Sequence, residues 1–168
     1  TTDCGGTVKY TYDYKDCAGL TWSWTFTYTI TRTTPPHQDG TVPTSSTVAC
    51  ISAATAPTQL PLVKDAEGVV LSPATGSPVI TDTPSPLTCE GKREYKYIYK
   101  DCANLEYVWI YTYTIDRTAG PAETGTPVAS AATIQCITGA LPPVILPVVK
   151  DACGAVLSPT ADSPVVTQ

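Results

Sequence analysis

The sequence predicts an all-β chain of tandem β-sandwich repeats braced by disulfides. Three observations carry that expectation: aromatic residues alternate along paired stretches, the whole pattern occurs twice, and seven cysteines fall largely at repeated positions. In residues 90–117, Tyr95, Tyr97 and Tyr99 take every second position. After Asp101-Cys102-Ala103-Asn104, so do Tyr107, Trp109, Tyr111, Tyr113 and Ile115. A period of two puts each set on one face of a strand, so the stretch reads as a long hairpin with an aromatic side to bury. Tyr95, Tyr97, Tyr99, Trp109, Tyr111 and Tyr113 are its expected core.

The same hairpin occupies residues 5–32. Val8, Tyr10, Tyr12 and Tyr14 form one row, Asp16-Cys17-Ala18-Gly19 the turn, and Trp22, Trp24, Phe26, Tyr28 and Ile30 the return. Cys4 matches Cys89, Cys17 matches Cys102, Trp24 matches Trp109 and Arg32 matches Arg117, each 85 residues on. Past the hairpin the offset is 86: Cys50 matches Cys136, Lys64-Asp65 matches Lys150-Asp151, and Leu71-Ser72-Pro73 matches Leu157-Ser158-Pro159. Such self-similarity is the signature of a tandem repeat. The first hairpin's outer face is rich in Thr, a residue that suits an exposed strand, so its aromatic side needs a second sheet over it.

After each hairpin, residues 33–46 and 118–131 read as linkers, with Pro, Gly and small polar residues and no periodicity. Residues 47–88 read as short strands at 47–51, 60–63, 69–71 and 78–81, kept short by frequent proline. No helix is expected. If the linkers are the boundaries, residues 43–118 form one complete repeat, 1–34 the closing half of a preceding one, and 128–168 the opening half of the next. Gln168 aligns with Asp82 and Thr1 with Pro86, as in a window cut from a continuous array. No signal peptide is visible, which suggests processing or truncation before Thr1.

Composition narrows the function. A net charge of -5 with scattered Lys and Arg offers no basic face to nucleic acid. No apolar run approaches the roughly 18 residues of a membrane-spanning helix. Seven cysteines with one histidine and no CxxC pair fit disulfides in an oxidising compartment better than a metal site. His37, in the first linker, reads as a solvated loop residue. With no second histidine, glycine-rich phosphate loop or nucleophile–base set, an enzyme is not expected. Asp39, Asp116 and Glu123 near the linkers are candidate oxygen ligands for a stiffening Ca2+; no other cofactor is expected.

The succession STVAC, a proline-rich segment, VKDACG, TCEG, YxYxYKDCA and WxYTYTI resembles the HYR-like immunoglobulin-like modules of Bacteroidota cell-surface adhesins of the SprB gliding type. The likeness implies immunoglobulin-like sandwiches, export to the cell surface and adhesion. One departure is that Cys153 of the second copy is matched by Glu67 in the first. The immunoglobulin-like arrangement implies a Cys50–Cys89 bond and places the Glu67 position beside Cys102, leaving Cys102 unpaired. Cys136 and Cys153 would then bond the next unit's equivalents of Cys4 and Cys17. The alternative groups Cys4, Cys17 and Cys50 in a self-contained N-terminal domain. Cys89 and Cys102 are separated by a strand of ~33 Å and cannot pair with each other.

The expected function is a non-enzymatic, structural or adhesive repeat segment of an extracellular adhesin or filament. Its partners are neighbouring repeats or identical subunits, with a surface or glycan ligand unspecified. One alternative is a homopolymeric fibre whose half-domains complete one another by strand donation. A second is a carbohydrate-binding or ice-binding module, to which the tyrosine rows and the Thr25, Thr27, Thr29 and Thr31 row would contribute. Val108 and Ile110 interrupt the matching threonine row and suggest an apolar outer patch.

Overall fold

The computed structural model describes residues 4–167. Its strands are β1 (Gly5–Lys15), β2 (Thr21–Thr31), β3 (His37–Asp39), β4 (Ser45–Val48), β5 (Leu62–Lys64), β6 (Val70–Leu71), β7 (Val79–Thr83), β8 (Gly91–Lys100), β9 (Glu106–Ile115), β10 (Ala122–Glu123), β11 (Val149–Lys150) and β12 (Val156–Leu157). Two short 3-10 turns lie at Ile51–Ala53 and Ile137–Gly139. The fold is all-β. The sheets are β1-β2, β3-β5-β6, β4-β9-β8-β7 and β10-β11-β12.

The chain divides into two compact units. One holds Thr1–Ser45, Ala56–Thr81 and Glu94–Thr112. Here β1 and β2 pair antiparallel over their whole length, from Gly5 opposite Thr31 to Lys15 opposite Thr21. That register sets Tyr12 opposite Trp24 and Tyr14 opposite Trp22, so the aromatic row expected from the alternation forms on one face. The matching row on β8 and β9 is covered: Tyr95, Tyr97, Tyr99 and Trp109 are buried, together with Val63 of β5. Tyr107 donates a hydrogen bond to Gln38 of β3 at 2.9 Å, which ties the β3-β5-β6 sheet to the aromatic face. Tyr111 and Tyr113, expected in the core, are half-buried.

β3 lies in a stretch expected to be a linker. His37, Gln38 and Asp39 pair with Lys64, Val63 and Leu62, so His37 sits exposed on an edge strand rather than in a loop. Three polar residues carry no alternation; their strand forms because β5 leaves an edge to pair with. The same occurs at β10 in the second presumed linker, where Ala122 and Glu123 pair with Lys150 and Val149.

The second unit holds Ser46–Thr55, Asp82–Arg93 and Tyr113–Gln168. Ala54 and Ile115 are buried in it, and Arg93 grips Asp82 through two hydrogen bonds of 2.8 and 2.9 Å. Gly91 opens β8 at φ +145; a Cβ there would meet the Thr83 carbonyl oxygen at 2.3 Å, so only glycine fits. The β10-β11-β12 sheet repeats β3-β5-β6 in register: Val149 faces Leu157 as Val63 faces Leu71.

Candidate functional site

Four turns begin with Lys-Asp: Lys15-Asp16, Lys64-Asp65, Lys100-Asp101 and Lys150-Asp151. In each, the aspartate's backbone N–H bonds the carbonyl four residues on, and its own carbonyl accepts from the residue three on. Its Oδ1 then accepts the backbone N–H of the fourth residue, Leu20, Val69, Leu105 or Ala155, at 2.8 to 2.9 Å. The third residue after the aspartate has positive φ and is Gly19, Gly68, Asn104 or Gly154. Glycine or asparagine is needed there because other side chains clash in the left-handed region. The turns are thus one device used four times: aspartate holds the tip, and the residues between are free to make bonds elsewhere.

An arginine after a hairpin clamps two of these turns. Arg32 reaches Asp65 Oδ2 at 2.8 Å and Glu67 at 2.7 Å; Arg117 reaches Asp151 Oδ2 at 2.9 Å. Arg32 also lies 3.9 Å from Asp101 Oδ2. Burial works to raise the Asp65 carboxyl, but the Val69 and Glu67 N–H groups and Arg32 together hold it below the usual carboxylate range. Asp151 is lowered chiefly by the Ala155 N–H, with Cys153 N–H and Arg117 adding to the effect. Glu67, first among the causes, and Asp65 raise Arg32.

The cystines sit on these turns. Cys4, at the base of β1, bonds Cys102 in the β8–β9 turn, and Cys50, just after β4, bonds Cys153 in the β11–β12 turn, with Cα separations of 5.3 and 5.6 Å. Cys17, Cys89 and Cys136 are free and exposed. This differs from the pairing implied by the resemblance. Cys102, expected free, is bonded; Cys50 joins Cys153 rather than Cys89; and Cys153 finds its partner within the chain. Nor are Cys4, Cys17 and Cys50 a self-contained set. The reason is the sheet order: β9 lies between β4 and β8, so Cys50 and Cys89 flank strands two spacings apart, ~10 Å, beyond the reach of a disulfide. Both bonds join one repeat to the next instead of closing a single repeat.

The two hairpins, alike in sequence, differ in cover. Tyr97 is 5% exposed and Trp109 3%, whereas their counterparts Tyr12 and Trp24 are 51% and 44% exposed. Tyr10, Tyr12, Trp24, Phe26 and Tyr28 line an open groove of about 410 Å³. Residues 119–167 show the complementary condition. Ala54 is buried but its counterpart Ala140 is exposed, Val144 stands in solvent, and the exposed Leu141 and Ile145 line a groove of about 510 Å³.

The sequence profile of HYR-like domains with four cysteines matches residues 1–30 and 39–115. The chain belongs to that family. No curated protein and no solved structure matches it. HYR-like domains are non-enzymatic, adhesion-type modules and typically extracellular. Among the described residues no helix is long and apolar enough to cross a membrane.

In this HYR-like chain the other singled-out residues are engaged in structure. Asp39 pairs with Lys64, Glu123 accepts the Val128 N–H, and the Asp116 N–H bonds the Val48 carbonyl. Among the described residues no three His, Cys, Asp or Glu side chains gather as a metal site. The threonine row of β2 is exposed, with Thr25 bonded to Thr11 across the hairpin, and Val108 and Ile110 are exposed outer residues of β9. The aspartates of the turns and the two arginines are the members that sequence reasoning passed over. Their signal was present: Lys-Asp recurs four times, and Arg32 and Arg117 keep a near-constant distance to the following Asp65 and Asp151.

Proposed function

We propose that this chain is a non-catalytic structural segment of an extracellular adhesive filament or surface adhesin. Its work is to carry tension along a row of HYR-like modules. The observation supporting this most directly is that both cystines run between successive repeats. A bond that closes one module stabilises that module alone; a bond from the base of one hairpin to the turn of the next transmits load past the non-covalent contacts. The resemblance to gliding-type surface adhesins is what favours a bacterial cell surface as the setting of such a row. On this reading residues 1–34, 43–118 and 128–168 are parts of three successive modules, with β3 and β10 drawing the preceding linkers into them.

Stretching single molecules between residues 4 and 153 tests this. With both bonds intact the shortest covalent path follows the backbone from Cys4 to Cys50 and then the bond to Cys153. The full extension is then ~160 Å, against ~500 Å for the reduced chain at about 3.5 Å per residue. Equal extension with and without reductant would exclude a load-bearing role for the cystines.

A further inference from the structure

We propose that a second copy of this chain docks its β1–β2 hairpin onto residues 119–168, building across two chains the module that residues 36–118 build within one, and that the docked copy's Cys17 then bonds Cys89. The inference rests on the tandem reading above and adds the identity of the neighbour.

Each half of the missing module is present and uncovered. Among the described residues β1 and β2 form a two-stranded sheet with two free edges, while their counterparts β8 and β9 are flanked by β7 and β4. Residues 131–134 match β4 but form no strand, and Val165 and Val166, which match Val79 and Ile80 of β7, are exposed. The vacant flanking positions of the hairpin and the unpaired flanking segments therefore correspond one to one. Open edges with an apolar face are the surfaces on which β-strand addition occurs.

Polar groups correspond as well. Tyr107 donates to Gln38 in the complete module. The equivalent positions are Trp22, which can only donate, and Glu123, which when ionised can only accept. Arg32 touches both Asp65 and Asp101. Its equivalent Arg117 holds Asp151 but has a buried Nε without a hydrogen-bond partner, and the position matching Asp101 is Asp16 of the docked copy.

The cysteines complete the pattern. Cys89 is the equivalent of Cys4 and Cys17 of Cys102, so the two free thiols repeat the bonded pair. Cys136 repeats Cys50, but the position matching Cys153 is Glu67, so Cys136 stays a thiol. This accounts for the odd total of seven. Closing the Cys17–Cys89 bond takes one proton and one electron from each thiol; a disulfide oxidant accepts both pairs and leaves as two thiols.

The full chain is incubated with a mixture of oxidised and reduced glutathione and followed by sedimentation and non-reducing electrophoresis. The expected result is concentration-dependent assembly and a ladder in multiples of 17.7 kDa, with free thiols falling from three per chain towards one. Cys17→Ser alone and Cys89→Ser alone give no ladder; mixed, they give covalent dimers and nothing longer. Trp24→Asp abolishes assembly of the unlinked chains. A ladder that survives either serine variant, or that is lost with Cys136→Ser, overturns the proposal. So does wild-type protein that remains monomeric at every concentration. In that case, recovery of Cys4–Cys102 and Cys50–Cys153 peptides leaves the tandem reading standing, and their absence removes it too.

Discussion

Asp65 and its counterpart Asp151 tie a hairpin to the turn that follows it in the chain, because each aspartate holds its turn in shape and receives the arginine at the hairpin's end. Both carboxyls lie below their ordinary range in the folded chain, as does Asp82 beside Arg93. A carboxyl depressed on folding contributes stability that is complete above its unfolded pKa of about 3.9 and is lost as pH falls through the folded value. Stability is therefore expected to be level from neutrality to about pH 5 and to decline below pH 4. Asp65→Asn should lower the plateau and flatten the acid decline, as read from urea midpoints across pH. An unchanged acid slope in that variant would show that Asp65 does not couple protons to folding. The repeated Lys-Asp pairs were visible in the sequence, but not that their carboxylates face arginine, because that contact joins residues some 33 positions apart.

The hairpin is the element most fully legible in advance. Alternation alone gave its strands, its turn and its aromatic face, since these depend on neighbours along the chain and directly across it. Cover is another matter, as the paired tryptophans show. Burying a large apolar side chain contributes on the order of 2 to 3 kcal/mol; Trp109 has that contribution in this chain and Trp24 does not. Trp109→Ala should destabilise the isolated chain by about 3 to 5 kcal/mol. Trp24→Ala should change it by no more than about 0.5 kcal/mol. Comparable losses by chemical denaturation would mean that the first hairpin is covered in solution. The short strands β3 and β10 were not legible, because two or three residues without alternation pair only where a neighbouring strand offers an edge.

Across the whole molecule, the two cystines enclose loops with sequence separations of 98 and 103, and they overlap, so each bond constrains residues the other also encloses. In the chain-entropy model a loop near 100 residues is worth about 4 to 5 kcal/mol, comparable with the entire stability of a small domain. Reduction is accordingly expected to lower the unfolding midpoint sharply, and a midpoint unmoved by reductant would show that the bonds are not formed in the native protein. By itself the sequence determined the duplication, the all-β class, the aromatic hairpins and the membership in a cysteine-braced repeat family, all of which follow from spacing along the chain. Only the tertiary structure decided which cysteines meet and which aromatic face is covered. Both depend on strand order, and β9 standing between β4 and β8 is a long-range arrangement that no local period encodes.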